Sequence, residues 1–175
     1  MHGPVSAARS RRRIAAIVAT LAVAVALGAF AGAQAAEHRN RAISSPDAPA
    51  AIGPYSAAIL VPPGRMVFLS GQLPLDPATG QIIVGDITAM THRVMQNLGA
   101  VLAAAGGEYD DMVKCTIYVT DLANFGAINA AYGSYFGCTA TACQEGATPP
   151  ARATVQVAAL PRAAPVEIEC LAILP

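Results

Sequence analysis

The stretch PPARATVQVAALPRAAPVEIECLAIL, close to the C-terminus, constrains the fold more than any other. Ala153, Val155 and Val157 alternate with Arg152, Thr154 and Gln156. Further on, Val166, Ile168 and Cys170 alternate with Glu167 and Glu169, and then with Leu171 and Ile173. A period of two marks β-strands, and Pro161–Pro165 supplies a turn between them. Both alternating sets contain apolar residues, so neither face of the sheet suits full exposure to water. A half-apolar sheet face with no helix to cover it predicts self-association. The same stretch raises a question of charge. Arg152 and Glu167 stand in apolar strands, where a charge must be either exposed or partnered.

The rest of the chain supplies the cover for one face. SAAILVPPGRMVFLSG reads as two short apolar runs around Pro62-Pro63-Gly64, a hairpin. QLPLDPATGQIIVG reads as a long loop with turn signals at Asp76-Pro77 and Thr79-Gly80. From Asp86, a good N-cap, Ile87, Met90, Val94, Leu98, Val101 and Leu102 recur at helical spacing until Gly106-Gly107. MVKCTIYVTDL alternates as a strand, with Val113, Cys115, Ile117 and Val119 on one side. Phe125, Ile128, Tyr132, Tyr135 and Phe136 share a helical face that ends at Gly137. The predicted order is β-β-α-β-α-β-β. That is an α+β domain, a mixed β-sheet with two helices packed on one face.

The first 35 residues stand apart from this domain. Arg9, Arg11, Arg12 and Arg13 precede an uncharged, Ala-rich run from Ile14 to Gln34, which closes on the small-x-small pattern Ala33-Gln34-Ala35. This is the pattern of a secretory signal peptide. SRRRIA also resembles a twin-arginine signal, although ordinary export suits it equally. Small residues and the cleavage pattern favour removal over an uncleaved anchor. The expected organisation is therefore a signal peptide over 1–35, a disordered tail over 36–47 and one domain over 48–175, periplasmic or secreted, with no membrane association after cleavage. Removing the leader leaves seven basic residues against 11 acidic ones, a net charge of −4. Such a balance argues against a nucleic-acid partner, which would select a basic face.

Few residues outside the strands suggest chemistry. His92 is the only histidine inside the domain, so no Ser-His-Asp arrangement is available, and on its helix it reads as a surface residue. Asp110 and Asp111 read as a solvated cap, and Lys114 as a surface charge on a strand. No metal-ligand spacing occurs. Cys138 and Cys143 lie in the polar loop GCTATACQEG and suit a local disulfide in an exported protein. Cys115 and Cys170 lie within apolar strands and read as small buried hydrophobes. Arg152 and Glu167 remain. An arginine fork binds a carboxylate with two hydrogen bonds, and a glutamate can orient or protonate a water. A structural ion pair, or two unrelated surface charges, is the alternative. In a simple hairpin, Arg152 would face Leu174, roughly 20 Å along the sheet from Glu167. The two could then share a ligand only across subunits, or in a sheet where their strands are not hairpin neighbours.

Five segments come in a familiar order: AAIGPYS, FLSGQLPLDPATG, NLGAVLAAAGG, MVKCTIYVTDLANFGAINAAY and PARATVQVAALPRAAPVEI. Together they resemble the Rid family, the YjgF-type reactive-intermediate deaminases, from Ala48 to the C-terminus. The resemblance implies a fold like that of a small chorismate mutase, assembled as a homotrimer with clefts between subunits. It implies hydrolysis of 2-imino or enamino acids to 2-keto acids and ammonia, with no cofactor or metal. Arg152 would grip the substrate carboxylate and Glu167 would position the water. Tyr55, Ser70, Gly71, Asn129 and Thr154 would complete the substrate site, Ser70 as a hydrogen-bonding group. The alternative is a non-catalytic exported trimer that binds small carboxylates in the same clefts. The sequence departs from the family in three ways: Thr154 replaces a common cysteine, the loop before Arg152 is longer and carries Pro149 where a phenylalanine is common, and an export signal precedes the domain.

Overall fold

The structure is a computed structural model that describes residues 40–175. The leader, its cleavage pattern and His38 lie outside the described residues. Six strands and two helices follow one another as β1 (Arg41–Ile43), β2 (Ala58–Leu60), β3 (Arg65–Gln72), α1 (Ile87–Ala104), β4 (Met112–Val119), α2 (Phe125–Gly133), β5 (Ala151–Gln156) and β6 (Val166–Leu174). Four of the strands form one mixed sheet in the order β3-β6-β4-β5. Both neighbours of β6 run antiparallel to it, whereas β4 and β5 are parallel. A parallel pair needs a long crossover, and α2 with the loop after it provides one.

Helix α1 begins where Asp86 accepts a hydrogen bond from the Ala89 N–H at 2.8 Å. Its stripe of Val94, Met95, Leu98 and Leu102 is fully buried. These side chains meet Ile117, Val119, Val166, Ile168, Ala172 and Leu174 from the sheet, and Ile128 and Tyr132 from α2, in one continuous core. Each such large apolar side chain contributes about 1.5–3 kcal/mol by leaving water. The two helices thus cover one face of the sheet, as the alternation in the strands requires. α2 ends in a turn of 3-10 helix, Ser134–Phe136, and then Gly137.

Several sequence expectations change. Residues 41–43, inside the stretch read as a disordered tail, form β1 and pair with β2 in a separate two-stranded sheet. The Pro-Pro-Gly turn does not close a hairpin, because β2 pairs with β1 and β3 pairs with β6. The last two strands are not neighbours either, since β4 lies between them. Cys115 and Cys170 are buried as expected, yet they are not two independent hydrophobes. They face each other across the β4–β6 register with Cα atoms 4.1 Å apart, and a disulfide joins them. His92 is half-buried rather than a free surface residue, with Nδ1 3.1 Å from the Tyr135 hydroxyl. Cys138 and Cys143 are joined by a disulfide, and the turn between them is held by the Thr139 N–H to the Ala142 carbonyl at 2.7 Å.

Candidate active site

Arg152 faces the helices. In β5 it lies beside Cys115 of β4, and residues paired in register point to the same side of a sheet. The loop ahead of β2 is pinned over it. The Ser56 N–H donates to the Pro150 carbonyl at 3.2 Å, and the Ser56 hydroxyl donates to the Pro149 carbonyl at 2.6 Å. This anchor brings the ring of Tyr55 to 5.3 Å from the guanidinium carbon of Arg152. Helix α2 supplies two more rings, Tyr132 at 5.0 Å and Phe125 at 5.8 Å. Gly53 closes the cage where a larger residue would crowd it. A Cβ there would lie 3.3 Å from Arg152 Nη2 and 3.2 Å from Asn129 Nδ2.

The electrostatics of this cage are unusual for an arginine. Desolvation lowers the Arg152 pKa, while Tyr132 and Tyr55 act in the opposite direction. Among the described residues no carboxylate pairs with it. Arg152 Nη1, Asn129 Oδ1, Tyr132 Oη and Thr154 Oγ1 are buried without a hydrogen-bond partner among those residues. Each such orphan costs about 1–3 kcal/mol. Burial also raises the Tyr132 pKa, so this hydroxyl stays neutral. A small polar anion would accept from Arg152 Nη1 and from the Thr154 hydroxyl, with the arginine fork as its main anchor.

Glu167 belongs to the other face. It pairs with Tyr118 of β4, whose side chain points away from the helices. The ladder between β3 and β6 is irregular between Leu69 and Gln72, and this bulge carries Ser70 and Gly71. Gly71 rests directly against the Glu167 carboxylate, so any side chain at position 71 would displace it. The two glutamates of β6 are not equivalent. Glu169 accepts a hydrogen bond from the Tyr118 hydroxyl at 3.0 Å, whereas Glu167 has no hydrogen-bond partner among the described residues. Lys114, on the same face, is exposed.

The site residues read from the sequence therefore fall into two groups. Tyr55, Asn129, Arg152 and Thr154 gather at the β5 edge under α2. Ser70, Gly71 and Glu167 gather on the bare face at β3 and β6. Glu167 is three register positions from the level of Arg152, two strands away and on the opposite side. Those three positions alone span about 10 Å. Within one chain the arginine and the glutamate cannot grip the same small molecule. Sequence reasoning missed Phe125 and Tyr132 as site residues, because an aromatic stripe on a helix reads as core. Their signal was the spacing 125, 129, 132, which puts both rings on the helix face that carries Asn129.

The sequence matches the family model described as Endoribonuclease L-PSP over residues 45–174. It is 54% identical to protein DfrA of Myxococcus xanthus over 134 residues, 77% of this chain and 95% of that protein. The mouse 2-iminobutanoate/2-iminopropanoate deaminase is 43% identical over 134 residues, covering 77% of this chain and 91% of the mouse protein. Among solved structures, Escherichia coli TdcF with bound serine superposes with a TM-score of 0.57 at 38% identity, covering 77% of this chain and 99% of that one.

Proposed function

The chain belongs to the Rid family, and from that premise we propose that it hydrolyses 2-imino and 2-enamino acids to 2-keto acids and ammonia, at a site shared between copies of a homotrimer outside the cytoplasm. The observation that carries this reading is the buried Arg152 fork, ringed by aromatics and without a carboxylate partner among the described residues. A 2-imino acid offers that fork a carboxylate one bond away from the reacting carbon. With the carboxylate held, Glu167 of a neighbouring copy orients a water towards the imine carbon. The water oxygen bonds to this carbon, its protons pass to nitrogen with Glu167 as the relay, and the C–N bond breaks to release ammonia. The carbonyl oxygen of the keto acid is the oxygen of the water. The mouse relative's name is that of such a deaminase, and the TdcF structure holds serine, a small amino acid with the same carboxylate.

Assembly is supported by the bare sheet face. Phe68 is 78% exposed there and Met66 56% exposed, beside Leu171 and Ile173. Apolar area of this kind is stabilised by burial against another copy. Export is supported by the leader pattern and by two disulfides, one of them inside the core, since oxidising compartments preserve such bonds. The family description names an endoribonuclease, but a net charge of −4 after removal of the leader does not suit an RNA substrate.

The test uses purified residues 36–175 with iminopropanoate or iminobutanoate generated in situ. Ammonia should appear faster than in buffer, with the matching keto acid in equal amount. Binding of the keto acid with no acceleration of hydrolysis would replace the enzyme with a carboxylate-binding trimer.

A further inference from the structure

We infer that Phe125 and Tyr132 are positioning residues for the carboxylate-binding arginine: their rings hold the Arg152 guanidinium in one pose with its fork free. This rests on the proposed carboxylate-gripping role of Arg152. A buried arginine normally gains its pose from an acidic partner. Here the partners are three π-faces at 5.0, 5.3 and 5.8 Å, all within reach of cation–π attraction. An acidic partner would occupy the fork and would have to be displaced by each substrate molecule. Aromatic rings attract the charge from the side and leave the N–H groups unspent, as the unpartnered Nη1 shows.

The rings are also placed to resist movement. Tyr132 is fully buried and tilts against Phe136 at 4.9 Å between ring centres. Phe125 stands at the first position of α2, where the 3-10 turn Leu122–Asn124 feeds into the helix. Asn129 lies between them on the same helix face, and its Oδ1 is the second orphan beside the arginine. α2 thus presents a charge-holding surface together with a polar group for the ligand. The Tyr132 hydroxyl has no partner among the described residues, so the ring, and not the hydroxyl, carries the effect.

Three variants test this. Tyr132→Leu keeps an apolar filler and loses the π-face, so KM for the imino acid should rise about tenfold with kcat nearly unchanged. Phe125→Leu, at a half-buried and more distant ring, should raise KM about threefold and keeps the test decisive if Tyr132→Leu fails to fold. Tyr132→Phe restores the ring and should return KM to within about twofold of wild type, which a need for the hydroxyl would not allow. Calorimetric binding of 2-oxobutanoate should follow the same order, while the neutral amide of that acid should bind all variants alike. Folded leucine variants that bind 2-oxobutanoate as tightly as wild type would overturn the cage. Wild-type protein that binds 2-oxobutanoate but does not hydrolyse the imine would overturn the enzyme reading alone, and the cage would still be decided by the binding series. Wild-type protein that binds no carboxylate would overturn both.

Discussion

The two faces of the four-stranded sheet share one alternation but solve different problems. On the helix-covered face, Ile117, Val119, Val166 and Ile168 are at most 1% exposed, and Arg152 sits at the β5 edge among aromatic rings. On the bare face, Glu167, Glu169 and Lys114 stand among Phe68, Met66 and Val155, which are 78%, 56% and 44% exposed. One face is covered by the helices and presents a cation with no carboxylate partner among the described residues. The other has no helix over it among the described residues and presents Glu167, a carboxylate without a hydrogen-bond partner among them. The lesson is that this fold sets Arg152 and Glu167 on opposite sides of one sheet, three register positions apart. Within one chain neither charge lies beside the other, because the register of β5, β4 and β6 sets them on opposite sides of the sheet. Under the proposed reaction a second copy would act twice, by covering the apolar area and by bringing the second charge to the site.

The largest expected effect breaks the covered face. Replacing Cys115 and Cys170 together by alanine removes a crosslink that closes a sequence separation of 55 residues. By the chain-entropy argument the loss is roughly 4 kcal/mol, read as a lowered denaturant midpoint with a steeper slope, because the uncrosslinked denatured chain exposes more surface. An unchanged midpoint would mean that the strands hold this register without the bond. Next comes the bare face. Glu167→Gln keeps size and removes the proton relay, so kcat should fall about 100-fold with KM nearly unchanged. Glu169→Gln should fall far less, because that carboxylate is already engaged by Tyr118. Equal losses for the two would remove the distinction drawn between them. Third, Arg152→Lys keeps the charge and loses the fork, so KM should rise about 30-fold with the assembly unaltered. Full activity with reduced stability would make Arg152 a structural cation.

Much of the covered face was legible in the sequence, because burial on one side writes itself as a period of 2.0 in strands and 3.6 in helices. Asp86, Val94, Leu98 and Leu102 announced α1, and Val113 to Val119 announced β4. Pairing was not legible. β1 is three residues long and is defined only by its partner β2. The Cys115–Cys170 bond depends on the β4–β6 register, which neither local pattern contains. The site residues were legible as types, through the resemblance of PARAT and PVEI to a family pattern. Their division between two faces was not, because it follows from β4 entering between β5 and β6. Phe125 and Tyr132 were visible as a helix face, but their closeness to Arg152 follows from where β5 lies in the sheet.

The smallest signal is the most direct test of the comparison. If Arg152 and Glu167 of one site come from different copies, two damaged chains can repair each other. Arg152→Ala chains retain Glu167, and Glu167→Gln chains retain Arg152. In a ring of identical head-to-tail contacts, each site takes its arginine from one copy and its glutamate from the next. In a random equimolar mixture each group is intact in half of the cases, so about a quarter of all sites are whole. Co-expression of the two variants with different tags, followed by capture through both tags in turn, isolates mixed assemblies. Every captured ring of three then holds both chain types and has one whole site in three, so these should recover about a third of wild-type turnover with a wild-type KM, since each repaired site is unaltered. A site built within a single chain gives none, because every chain then carries one broken half. Turnover in the mixed assemblies no higher than in either variant alone would therefore return both charges to one chain, and would require β5 and β6 to come together by a movement of the sheet itself.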